Sequence, residues 1–307
     1  MFQKYAILRA TRLQITPTLR EYGLLRLNAD GFMMTRSLAE NYPYSNLYKA
    51  AIRGAKDEWT KITDWLETDE LDAESGLMHL LVFLNNRSET FKSSVLALEV
   101  ALSKYLKKER SFEEILSLLE KFIHDSTYSA RIFEISIHAL FQVFDESHSL
   151  EGYLKPISQM RSANKKHGNI GDIEITGTPG GMDIIESWDA KFGKTYLRDE
   201  LEELSDKLAA HPQCTICGFI TDGSPNMKEE IIERSKEISI LHDTELVIIK
   251  FSDWATSQIE RFELDKDIIG VKWMIAIIEC VSQKRREFAP IDEPTGEWVE
   301  YLKTVLE

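Results

Sequence analysis

The stretch Gly168-Asn-Ile-Gly-Asp172-Ile-Glu-Ile-Thr-Gly-Thr-Pro-Gly-Gly-Met-Asp-Ile-Ile-Glu-Ser-Trp-Asp189-Ala-Lys191 decides the fold. It reads as a strand over 171–176, a Gly/Pro turn over 177–181 and a second strand over 182–191. Side chains alternate along a strand, so Asp189 and Lys191 lie on one face, about 6–7 Å apart along the chain. With the turn centred near Pro179–Gly180, antiparallel pairing sets Asp172 across from Trp188–Asp189. Two carboxylates from neighbouring strands then converge beside an ammonium. Hard oxygen ligands at this spacing suit Mg²⁺, and the lysine can hold or polarise a water attacking a phosphodiester. Asp183 is excluded from the same centre, because it sits six residues before Asp189 on one strand, roughly 20 Å away.

The acid-x-Lys match is weak by itself. In a chain with 51 acids, about four such matches arise by chance, although Asp189-Ala-Lys191 is the only one present. Its context carries more weight. Downstream, strands at 215–221 and 245–251 alternate with helices at 196–210, 226–241 and 252–262, followed by closing helices at 268–287 and 296–306. That alternation predicts an α/β fold with a mixed central β-sheet flanked by helices. Upstream, residues 45–124 carry helical periodicity, including 93–108 and 113–124. The second of these helices opens on a capping box, Ser111-Phe-Glu-Glu114. An apolar-rich helix at 127–144 bears Glu134. Asn28-Ala-Asp-Gly31 marks a hairpin. The expected organisation is a mainly helical N-terminal region, 1–125, followed by an α/β domain, 126–307.

This segment resembles the active-site hairpin of the PD-(D/E)xK nuclease superfamily, and its Gly-Asn-x-Gly-Asp lead-in and Asp-Ala-Lys ending are most similar to type II restriction endonucleases. The resemblance spans roughly residues 133–254. It implies that Asp172 and Asp189 hold the metal, that Lys191 is the catalytic lysine, and that Glu134 is the helix carboxylate supporting the metal or its water. One departure is plain: Gly171 stands where the family name has proline. The implied activity is Mg²⁺-dependent hydrolysis of double-stranded DNA at a short specific sequence, by a homodimer, with no nucleotide cofactor. The alternatives are a defence or repair nuclease of the same superfamily that reads modified or structured DNA, and a DNA-binding scaffold with an inactive nuclease fold.

Charge limits how DNA could be held. Lys+Arg 37 against Asp+Glu 51 gives −14, which argues against a basic nucleic-acid coat and leaves only local contacts. The acidic excess sits in the second half, where 151–307 holds 19 basic and 30 acidic residues. Within it, Arg161, Lys165, Lys166 and His167 precede the hairpin, while Lys194 and Arg198 follow it; these are the candidate phosphate contacts. Asn164 and Gln159 could read a base edge. Lys284-Arg285-Arg286 reads as a helix C-terminal cluster complementing the dipole.

Other chemistry is poorly supported. Cys214-Thr-Ile-Cys217 has half of a zinc spacing, with no second Cys-x-x-Cys, and reads as buried strand thiols. Thr221-Asp-Gly-Ser-Pro-Asn226 lacks the phosphate-loop pattern and reads as a loop with Ser224 as N-cap and Pro225 in the first helical turn. Three cysteines make no disulfide framework, so a cytoplasmic setting is expected. The best apolar run, around Trp273–Ile278, is bracketed by Lys272 and Glu279 and falls short of about 20 residues, so no membrane association is expected.

Overall fold

The computed structural model describes residues 56–156, 169–284 and 294–307. The hairpin expected at 28–31 lies outside them, as do Arg285 and Arg286. The chain divides into two compact units, one of 1–97 with 286–293, the other of 98–285 with 294–307. In the first, α1 (Lys56–Glu67) and the greater part of α2 (Ala73–Tyr105) are described. The 33-residue α2 is long, yet no helix among the described residues is long and apolar enough to cross a membrane.

The second unit is α/β. Its chain order is α3 (Phe112–Asp125), α4 (Ser129–Glu146), β1 (Tyr153–Leu154), β2 (Ile173–Thr176), β3 (Ile184–Lys191), α5 (Arg198–Leu208), β4 (Ile216–Thr221), α6 (Glu229–His242), β5 (Glu245–Lys250), α7 (Phe251–Arg261), α8 (Lys266–Glu279), a π-helical turn (Cys280–Lys284) and α9 (Thr295–Leu306). The five strands form one sheet in sequence order. β1–β2 and β2–β3 pair antiparallel, whereas β3–β4 and β4–β5 pair parallel. The sheet is therefore mixed. The unit begins at Leu98, so α3, expected with the N-terminal region, belongs to it and packs on α4 and α8.

Local sequence explains most boundaries. Ser111 and Glu114 close the capping box at the start of α3: the Glu114 N–H donates to Ser111 Oγ at 3.2 Å, and the Ser111 N–H donates to a Glu114 carboxylate oxygen at 3.2 Å. The β2–β3 turn uses Gly180 at φ +66°, a left-handed conformation that favours glycine. Asp183 braces this turn by accepting from Thr178 Oγ1 at 2.7 Å. The helix expected to start at Ser224–Pro225 begins at Glu229 instead, with Lys228 as N-cap. Residues 221–226 are committed elsewhere: Asp222 Oδ1 accepts from the Gly193 N–H at 2.8 Å, and the Asn226 N–H donates to the Thr195 carbonyl at 2.9 Å.

Two apolar layers cover the sheet. On one side α5 and α6 bury Leu201, Leu204, Leu208, Ile231 and Ile238 with Cys217 and Phe219 of β4. On the other, Trp188 of β3 meets Trp254 of α7 edge-on at 6.1 Å, and Trp254 continues to Phe141 of α4 at 5.6 Å. Aromatic rings bring large buried areas to this layer. Gly218 makes the approach possible, because a Cβ there would lie 2.2 Å from the Val247 carbonyl oxygen and 2.9 Å from the Trp188 ring. The first neighbour is backbone and cannot rotate away. Gly218→Ala is thus expected to destabilise the unit by about 3 kcal/mol or more, the upper range for overpacking. Urea denaturation checks this, and an unchanged midpoint would contradict the close approach.

Candidate active site

The ends of β2 and β3 build the site. The Asp172 N–H donates to the Trp188 carbonyl at 3.0 Å, extending the antiparallel ladder one residue beyond Ile173↔Trp188. Asp172 Oδ2 accepts from the Ala190 N–H at 3.1 Å, and its carboxyl is hydrogen-bonded to that of Asp189. Lys191, two residues on along β3, places Nζ 2.8 Å from Asp189 Oδ2. The Lys191 ammonium also lies 5.7 Å from the centre of the Phe219 ring, a cation–π distance. The three residues chosen from the sequence thus meet at one point.

Their electrostatics follow from crowding. Burial, followed by the charge of Asp172, pushes the Asp189 pKa up to about 7 against the attraction of Lys191. Burial and then the charge of Glu134 raise Asp172 as well. Two carboxyls this close resist ionising together, because each charge penalises the other. Burial works against the Lys191 charge, but Asp189, Asp172 and Glu200 outweigh it and hold its pKa above the ordinary lysine value.

Glu134 is near enough for its charge to act on Asp172, and its carboxylate is ion-paired with Arg131 one turn earlier on α4. Lys194 is ion-paired with Glu200, and Arg198 with Glu202, so both expected phosphate contacts are engaged by acids of α5. Arg161, Asn164, Lys165, Lys166 and His167, along with Gln159, lie outside the described residues.

Close packing at Gly171 accounts for the glycine before Asp172. A Cβ on Gly171 would sit 2.7 Å from the Trp188 carbonyl oxygen, and the Gly171 N–H donates to Glu174 Oε1 at 3.3 Å. Proline would bring the first and lack the second. The space that glycine leaves is what allows β2 to close on β3 here.

Sequence reasoning missed three residues. Glu174, only 2 % exposed, accepts from the Ile170 N–H at 2.6 Å and from Lys155 Nζ at 2.5 Å, clamping the turn that presents Asp172. Lys207 of α5 donates to the Ile170 carbonyl at 3.1 Å, holding the same residue through its other backbone group. Glu200 of α5 lines a cleft of about 60 Å³ together with Asp189, Lys191, Leu204 and Phe219. The alternation that pairs Asp172 with Glu174 on one face could have flagged the second. Glu200 carried no such signal, because an acid in the first turn of a helix is ordinary dipole compensation.

Two carboxylates can serve Mg²⁺, which usually keeps several waters and takes one or two carboxylates plus substrate phosphate oxygens. Among the described residues no three His, Cys, Asp or Glu side chains gather into a metal cage, and the Asp172–Asp189 pair offers carboxylate oxygens alone. Cys214 and Cys217 are free and buried at the start of β4; the interaction with Cys217, followed by burial, holds the Cys214 thiol above its ordinary range. No protein-family model matches the chain, and no curated protein matches it.

Proposed function

We propose that this protein is a Mg²⁺-dependent deoxyribonuclease of the type II restriction class, cutting double-stranded DNA at a short specific sequence. The observation that carries the reading is the meeting of Asp172, Asp189 and Lys191 at the ends of two adjacent strands, with Nζ 2.8 Å from a carboxylate oxygen. Asp172 and Asp189 would hold the metal, which when bound lowers the pKa of water and neutralises charge on the phosphoryl group. The chain's own residues do the rest. The Ala190 N–H and the Glu174 clamp fix the orientation of Asp172. Lys191 directs its ammonium to the attacking water or to a non-bridging phosphate oxygen, offsetting the charge that builds as the new P–O bond forms and the bond to the sugar oxygen breaks. Glu134 adds a negative field that favours cation binding beside Asp172.

One such centre cuts one strand, so a double-strand break at a symmetric site calls for two chains about a two-fold axis. Free, buried cysteines suit a reducing cytoplasm. The engagement of Lys194 and Arg198 by acids favours a second reading, a scaffold with an inactive nuclease fold. Plasmid DNA incubated with the protein and Mg²⁺ separates the readings. Discrete fragments with defined ends are the expected result; a smear would indicate a general nuclease, and intact DNA across varied substrates would favour the scaffold.

A further inference from the structure

Lys191 faces a conflict at this site. Its ammonium sits 2.8 Å from Asp189 Oδ2, on the carboxylate that the proposed ion would share with Asp172. A divalent cation and an ammonium on the same carboxylate repel each other, so loading the site favours a shift of Lys191 toward another acceptor.

Glu200 is the group available. It lines the same cleft as Asp189 and Lys191, and its side chain is only 13 % exposed. One carboxylate oxygen is held by Lys194 at the surface, while Oε2 is buried and has no hydrogen-bonding partner among the described residues. A buried carboxylate oxygen without a donor is costly, and structures seldom retain one without reason. The charge of Glu200 already acts on Lys191. Phe219 also lines the cleft, with its ring centre 5.7 Å from the ammonium.

We propose that Glu200 is a positioning residue: it receives the Lys191 ammonium when a divalent cation occupies Asp172 and Asp189, and so clears the metal site while keeping the lysine beside it. The inference rests on the metal-site reading above. Glu203 lines the cleft too, but it is more exposed and is ion-paired with Lys207 at 3.2 Å, which in turn anchors Ile170. Glu200 is thus the acid whose buried oxygen lacks an assigned donor.

The test is a double-mutant cycle read by Mn²⁺ affinity in calorimetry, on the full chain and without DNA. Glu200→Gln in the wild-type background is expected to weaken Mn²⁺ binding about tenfold, the lower range for residues that tune a metal site from outside its ligand set. In a Lys191→Ala background the same change should have less than half that effect on a logarithmic scale, because no ammonium then needs to move. A general loss of negative charge would weaken binding equally in both backgrounds, and that outcome overturns the proposal while leaving the metal site standing. Glu200→Asp keeps the charge but withdraws the carboxylate, and should show the same background dependence if Glu200→Gln does not fold. Failure of the wild-type protein to bind Mn²⁺ at all would overturn the metal reading and this inference together.

Discussion

Asp189→Asn is expected to abolish Mg²⁺-dependent DNA cleavage, with a loss on the order of 10³-fold or more, while the protein keeps its cooperative melting transition. Asp189 has three engagements: a hydrogen bond with Asp172, an ion pair with Lys191, and a place in the parallel ladder opposite Phe219. Asparagine preserves the last, which is backbone, and can hydrogen-bond Asp172, but it contributes no charge to a cation. Asp172→Asn and Lys191→Ala should lose activity to a similar degree for different reasons, the first through the metal and the second through the phosphoryl charge. The fragments from a plasmid digest provide the measurement. Cleavage within tenfold of wild type for all three single variants would remove the site from the mechanism.

The second large effect is in pH. Asp189 titrates near 7 in the folded protein against 3.8 for an ordinary aspartate, and Asp172 is shifted in the same direction. A raised acid binds its proton more tightly when folded, so the metal-free protein gains stability from it at low pH. That gain erodes as pH climbs from about 4 to about 7, and above 7 the folded state carries the full electrostatic penalty. A cation reverses the balance, because it needs the carboxylates ionised. Mg²⁺ affinity should rise with pH up to about 7 and then level. At pH 6, binding should release about one proton per ion, and at pH 8 nearly none. Calorimetry in two buffers of different ionisation enthalpy measures the count. A pH-independent affinity with no proton release at pH 6 would show that the pair is already ionised.

Much of this was readable in the chain because it depends on spacing. The α/β order followed from short apolar runs alternating with helical ones. The convergence of Asp172 with Asp189 followed from counting outward from the Gly177–Gly181 turn, and the antiparallel register placed Asp172 beside Trp188 as the count required. The Ser111 capping box marked the true start of α3 because that signal is local. Misses arose where a distant contact overrode a local one. Ser224 and Pro225 carry a sound helix-start signal, yet the loop that contains them is tied across to Gly193 and Thr195, so the helix starts later. Glu200 and Lys207 approach the site only because α5 folds back over the strand end, and no periodicity records that. Gly171 shows the limit of pattern matching from the other side: what looks like a missing proline is a steric requirement of this strand pair.

Glu174 also has a consequence for how such a protein could diversify. A single buried carboxylate receives both Lys155 and the Ile170 peptide, so the chain leaves for residues 157–168 and returns from them at the same joint. Changing the number of residues between two fixed ends alters closure entropy slowly, by only about 0.6 kcal/mol per doubling. Asp172 lies beyond the joint, insulated from such changes. Descendants could therefore lengthen, shorten or exchange the sequence between these two ends while the strand pair that holds Asp172 and Asp189 stays as it is. Drift would leave its mark as length variation on one side of Glu174 and near-invariance on the other.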